Sequence, residues 1–304
     1  MSGRRAALLA LVGATVAVSG SAILIQEAQS DAATVVWLRM ALAAGILAPW
    51  ALPRLRHRAP GGGGRRDALL TIAAGALLSI HFLTWTASLQ YTSVAASVLL
   101  VSLHPLVVAP LGARFHGDAV DARTRLAILI AMIGTAVTCA GGFEAGGRAL
   151  EGDLLALVGG VALAGYLLIG RSRRARGGVA VYSAAVYAMV SAAAVGVAAA
   201  GGGLHAPGVR TLVACFGLAA VCTVGGHTVF TWTLRRLPAS TVSLSFLGEP
   251  PIAAVLAFIV LGQHPPVTTI VGGALIIAGL TVTVLGPTAT THVARSAATR
   301  DGTA

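Results

Sequence analysis

The residues of this chain best placed to do chemistry are ionisable side chains set inside long apolar runs. Glu249 stands about ten residues into one such run and is followed at once by Pro250 and Pro251. At 1.5 Å per residue that is ~15 Å along a helix, near the middle of a bilayer. Proline has no N–H and its ring clashes with the preceding turn, so a helix must kink or open there. A carboxyl beside freed backbone carbonyls suits a cation or a proton; a protonated glutamate bonded to a neighbouring helix is the structural alternative. His104-Pro105 is the matching feature of an earlier run. Its imidazole could carry a proton or touch a solute, or could pack against a backbone carbonyl. His81 precedes Trp85 by four residues and His227 precedes Trp232 by five, so in each pair both rings face roughly one way on a helix. Such pairs could line a pathway for an apolar or cationic solute, or anchor helix ends at the membrane interface. Arg39 follows Trp37 in another run. It can snorkel to the interface, pair with Glu27 or Asp31, or hold a substrate carboxylate. Tyr91, Tyr166 and Tyr187 are weaker candidates.

The elements that must position these residues are membrane-spanning helices. The chain is 56% hydrophobic and only 10% charged, whereas soluble domains carry about 25% charged residues. Apolar blocks fall at 6–25, 33–52, 68–86, 93–112, 125–141, 152–170, 179–200, 209–231, 239–261 and 267–286. Each has about the length that crosses ~30 Å of hydrocarbon as a helix. The alternation of a membrane barrel strand is absent. Arg4-Arg5 before the first block resembles a signal peptide, but no clear small-residue cleavage site follows, so an uncleaved helix is expected. The net charge of +11 does not point to nucleic acid. All 21 basic residues are arginine, and nearly all lie in short loops, where they carry orientation information. Cys139, Cys215 and Cys222 sit inside apolar blocks and read as small buried hydrophobes. Neither a metal site nor a cofactor is expected. Gly159, Gly160, Gly165, Gly272, Gly273 and Gly279 mark faces where helices can approach closely.

The two histidine–tryptophan segments lie almost half the chain apart, and each is followed by a loop and then by a helix broken at His104-Pro105 or Glu249-Pro250. The first loop is uncharged and the second holds Arg235 and Arg236. Five helices per copy is an odd number, so the second copy enters the membrane from the other side. If both termini lie on one face, that face receives every arginine except Arg39, Arg148 and Arg210. The positive-inside rule then puts both termini in the cytoplasm. The expected fold is an all-α integral membrane protein with ten transmembrane helices as two inverted five-helix repeats, 1–142 and 143–286. The polar segment 287–304 reads as a disordered cytoplasmic tail. Inverted repeats with broken helices at matching positions are a signature of secondary transporters.

With these residues in view, the chain resembles the EamA-type family of the drug/metabolite transporter superfamily over about residues 6–286. The resemblance is carried by Trp37-Leu38-Arg39, Tyr91-Thr92-Ser93, Leu103-His104-Pro105, Gly152-Asp153-Leu154-Leu155-Ala156-Leu157, Leu237-Pro238-Ala239-Ser240-Thr241 and Gly248-Glu249-Pro250. It implies ten helices in two inverted halves, with the family's Glu-Pro at Glu249-Pro250 and its arginine at Arg39. It also implies export or exchange of small metabolites, often amino acids or related compounds, by alternating access. No Walker A loop is present, so an ion gradient, protons first, or solute exchange would drive the cycle. Efflux of drugs or cationic compounds is the alternative. A passive channel or an intramembrane enzyme fits less well, since there is no H-E-x-x-H and no paired intramembrane aspartate. The expected location is a cell membrane of the bacterial inner-membrane type. The partners are the lipid bilayer and a small-molecule substrate, not nucleic acid, with the chain a monomer or homodimer.

Overall fold

A chain of apolar blocks must satisfy its backbone hydrogen bonds internally once it leaves water, and helices do this within each block. The computed structural model describes residues 2–56, 64–118, 120–140, 146–172, 178–201, 206–261 and 266–284, and the regular elements among them are helical throughout. The expected tail at 287–304 lies outside the described residues. In chain order the helices are α1 (Ser2–Val18), α2 (Ser21–Glu27), α3 (Ala32–Arg56), α4 (Arg65–Ser88), α5 (Val94–Val101), α6 (Pro105–His116), α7 (Ala122–Thr138) and α8 (Gly147–Ser172). They continue with α9 (Val179–Ala200), α10 (Val209–Gly217), α11 (Val229–Thr233), α12 (Ala239–Ser245), α13 (Glu249–Leu261) and α14 (Val267–Val284).

These fall on the ten apolar blocks, with interruptions inside four of them. The first block is parted at Ser19-Gly20 and the fourth at Ser102-Leu103-His104, one turn ahead of Pro105. The eighth runs as α10, a π-helix over Leu218–Thr228, and α11. The ninth tightens to a 3-10 turn at Phe246–Gly248 immediately before Glu249-Pro250-Pro251. Both proline breaks therefore sit at corresponding points of the two copies. Among the described residues, eight segments are long and apolar enough to cross a membrane. The helices α7 and α14 are shorter, and they pack along each other.

Beyond that pair, α3 lies along α9, α4 along α8 and α9, and α1 along the π segment. Small residues let these axes approach. A Cβ on Gly160 would stand 2.7 Å from the carbonyl oxygen of Val101, and one on Gly134 of α7 would stand 2.7 Å from that of Gly272 on α14. The outer surface is apolar: Leu9, Ile72, Leu129, Val161, Val213 and Ile277 are all exposed, as lipid-facing side chains must be. The polar groups are inside. Arg39, Tyr166 and Tyr187 are among the largest fully buried side chains. Tyr166 Oη is bonded to Thr231 Oγ1 at 2.9 Å, and Ser88 Oγ to Ser97 Oγ at 2.6 Å.

Candidate functional site

The interruptions converge on one small cavity. Val18 and Ser21 reach it from either side of the Ser19-Gly20 break, Ser102 and His104 from the α5–α6 break, and Phe246 and Glu249 from the 3-10 turn and the start of α13. His81 and Trp85 come from α4, Leu163 from α8, and His227 from the π segment. Its volume is about 20 Å³, room for one water molecule and for nothing the size of a metabolite. A helix that is broken or rewound leaves backbone groups without intrahelical partners. Four such points around one space bring the polar side chains of Ser21, Ser102, His104, His227 and Glu249 to its wall.

The histidines are fixed from behind. His81 Nδ1 lies 3.0 Å from the carbonyl oxygen of Gly159, and His104 Nδ1 lies 3.0 Å from that of Val101. A carbonyl only accepts, so Nδ1 carries the hydrogen in His81, and a neutral ring keeps its lone pair on Nε2. The His104 ring lies between the backbone of Val101 and that of Ser243. The His81 ring stacks on Trp85 with centroids 5.9 Å apart and planes 8° apart. His227 meets His81 at 6.3 Å and Phe82 at 5.1 Å, and Phe246 faces both His104 and His227. Among the described residues, no three His, Cys, Asp or Glu side chains come together as a metal site.

Arg39 does not snorkel. It is 1% exposed, its Nε donates to Thr223 Oγ1 at 2.7 Å, and its Cζ lies 4.5 Å from the Phe82 ring centre. Glu27 pairs with Arg210, and Asp31 caps α3 by accepting from the Thr34 N–H at 2.8 Å, so neither serves Arg39. The wide turns of the π segment make the seat: Thr223 Oγ1 bonds the carbonyl five residues back, at Leu218, and Thr228 Oγ1 bonds that of Thr223. Trp232 is not part of the cavity. Its ring lies under the Arg236 guanidinium, 4.1 Å from Cζ, as an interfacial anchor would.

Sequence reading named His81, Trp85, His104, His227, Glu249 and Pro105 in this region, and missed Phe82, Phe246, Ser21, Ser102 and Thr223. One signal for the π segment was available. The histidine–tryptophan spacing is four residues in the first copy and five in the second, and one inserted residue is what an i→i+5 turn absorbs.

The helix α8 passes the site and is tied at both ends. Near its start, Asp153 Oδ1 accepts from Thr92 Oγ1 at 2.8 Å. At its end, Arg171 donates to both carboxylate oxygens of Asp118, at 3.0 and 2.7 Å, and to the carbonyls of Leu234 and Leu237, each at 3.0 Å. Gly117 ends α6 in the left-handed conformation (φ 63°), which turns Asp118 into place. Asp118 Oδ2 also accepts from the Ala239 N–H at 3.3 Å, joining the start of α12 to the cluster.

The profile of the EamA-like transporter family matches residues 5–140 and again 150–285. The chain belongs to the EamA-like transporter family. The two matches are the two copies seen in the sequence, and with the eight apolar spans they make this chain a multi-pass integral membrane protein of a solute-transporter family. No curated protein matches the sequence significantly. Among solved structures, one described as "Crystal structure of protein" superposes with a TM-score of 0.76 at 18% identity, over 92% of this chain and 97% of that one. At that identity the likeness establishes the shared fold.

Proposed function

We propose that this EamA-family protein is a secondary active carrier that exports small metabolites, amino acids or related compounds, by alternating access around Glu249. The observation that carries the reading is the cavity itself: a carboxyl and three histidines at the meeting point of broken helices, around a space of about 20 Å³. A channel keeps a continuous path, whereas a carrier must pass through a state closed on both sides. The ties at the two ends of α8, roughly 27 Å apart along the helix axis, suit such a state.

In the proposed topology α7 and α14 also cross, giving ten helices in two inverted halves, 1–142 and 143–286. Both termini lie in the cytoplasm of a bacterial-type cell membrane, and the Arg171–Asp118 cluster closes the cytoplasmic side. At 17 residues, α7 reaches only about 25 Å, so it spans where its Arg123 and Arg125 reach the interface. Glu249 carries the coupled proton or contacts the solute, with His104 beside it on the wall of the same cavity. Carboxylates inside membranes recur in proton relays for this reason. Pro105, Pro250 and Pro251 keep the two breaks open.

The test compares solutes released into the medium by cells overproducing the wild type and Glu249→Gln at equal membrane level. Enrichment of a solute class by the wild type, lost in the variant, is expected. Undiminished and still pH-dependent export by the variant would remove Glu249 from the coupling role.

A further inference from the structure

The helices α6 and α7 stand apart. α6 packs against α8 and α12, while α7 packs against α14, and the space left between them is a groove of about 640 Å³, within the size range of ligand sites. Leu106, Ala109 and Ala113 of α6 form one wall and Leu129 and Met132 of α7 the other, with Arg125 at the end near the start of α7. Pro105 and Pro110 shape the α6 wall. Pro110 has no N–H for the Leu106 carbonyl, and its ring crowds the preceding turn, which bends a helix. Leu106, Ala113, Arg125 and Leu129 are exposed, so the groove opens onto the surface that faces lipid. From Pro105 to Ala113 it runs roughly 12 Å along the helix axis, most of the ~15 Å of hydrocarbon in one leaflet. Its inner end is Pro105, next to His104 of the central cavity.

Among the described residues that line the groove, Arg125 is the one charged group. Arg114 stands in the last turn of α6 and Arg123 in the first of α7, so the mouth is basic. The nearby carboxylates are engaged: Asp118 holds Arg171, and Asp121 caps α7 by accepting from the Thr124 N–H at 2.7 Å. A guanidinium stays charged at any physiological pH and meets phosphate through two parallel bonds. An apolar trough one leaflet long that ends at such a group matches a lipid with an acyl chain and a phosphate. We propose that the α6–α7 groove binds one anionic phospholipid, with an acyl chain between Leu106 and Leu129 and the headgroup phosphate on Arg125. A zwitterionic headgroup carries its own cation, which the arginines at the mouth repel. A second copy of this chain fits less well, since a two-fold contact on this face would bring the arginines of both copies together. In the proposed topology the mouth lies on the cytoplasmic side, where basic pockets between helices meet anionic headgroups. The groove of about 490 Å³ between α1 and α13 has no charged residue among its described lining, so headgroup selection belongs to the α6–α7 groove. Because α6 links His104 at the cavity to Asp118 of the Arg171 cluster, the bound lipid braces the helix that joins the two.

The test is lipid binding to the purified full-length chain in micelles, read by native mass spectrometry, with phosphatidylglycerol and phosphatidylcholine of the same acyl chains. Preferential retention of one phosphatidylglycerol is expected, weakened about fivefold or more in Arg125→Gln. It should be lost in Ala113→Phe, which fills the groove from an exposed position of α6. Arg66→Gln removes an exposed arginine at the start of α4 instead and should leave the affinity unchanged. Equal retention of the two lipids would overturn the assignment. So would a phosphatidylglycerol affinity that Arg125→Gln lowers no more than Arg66→Gln does, which would reduce the effect to general surface charge. A dimer peak that disappears in Ala113→Phe would place a second copy in the groove and overturn it as well. Inorganic phosphate at matched ionic strength should not displace the lipid; displacement would make this a phosphate site without an acyl chain. Each result is read without transport, so the carrier reading stands or falls separately.

Discussion

Arg39 is held by one strong hydrogen bond, so its position depends on Thr223. Thr223→Val keeps the shape of the side chain and removes both the acceptor for Nε and the bond back to Leu218. Losing a hydrogen bond to a charged group costs about 1.5–3 kcal/mol. Denaturant unfolding in micelles should show that loss in Thr223→Val and recover most of it in Thr223→Ser; equal stability of Thr223→Val and the wild type would mean Arg39 is held by something else. At this scale the sequence was informative where a residue type is costly in hydrocarbon. Glu249, His104, His81 and His227 stood out because apolar blocks rarely contain them, and all four line one cavity. Arg39 stood out for the same reason, but its burial was hidden, because an arginine near a helix end can also reach the interface. Thr223, Ser21 and Ser102 gave no signal, since hydroxyl side chains satisfy themselves within a helix anywhere in a membrane. Trp232 shows the limit of reading by echo: its spacing matches Trp85 to within one residue, and that residue carries it out to Arg236.

Helices were legible as blocks, because a run of about twenty apolar residues has one stable solution in lipid. The breaks were half legible. Proline announced those at Pro105 and Pro250, but the parting at Ser19-Gly20 has no proline, and the π segment is marked only by the one extra residue between His227 and Trp232. Close helix approach was readable in the glycines, and it makes a paired prediction. On α7, a Cβ at Gly134 would stand 2.7 Å from the Gly272 oxygen and 2.8 Å from the Ile276 nitrogen, both backbone atoms. Gly134→Ala must push α14 away, at a cost of about 1–3 kcal/mol. Gly45 of α3 has nothing within 4 Å of its Cβ position, so Gly45→Ala should be neutral or stabilising by about 0.5–1 kcal/mol. The same unfolding measurement reads both, and a Gly134→Ala protein as stable as Gly45→Ala would show that α7 and α14 are not in tight contact.

Over the whole molecule, the two repeats place their proline breaks at one centre, and α8 is fastened on either side of it. Along α8, the Gly159 carbonyl that orients His81 lies about 9 Å from the level of Asp153 and about 18 Å from that of Arg171. The Arg171–Asp118 cluster is the stronger tie, buried at both partners and bonded to the loop that precedes α12. Removing one partner of a buried pair leaves an uncompensated charge and costs about 3–5 kcal/mol. Asp118→Ala should therefore shift the protein toward the state open at the arginine-rich end. The most direct test of the carrier account is the accessibility of the cavity from each side. Ser102→Cys, in a chain with Cys139, Cys215 and Cys222 replaced by alanine, is exposed to a membrane-impermeant thiol reagent in right-side-out and inside-out vesicles. The account predicts slow labelling from both sides, with Asp118→Ala speeding it from the arginine-rich side and slowing it from the other. Labelling from one side only, unaffected by Asp118→Ala, would contradict alternating access around this cavity.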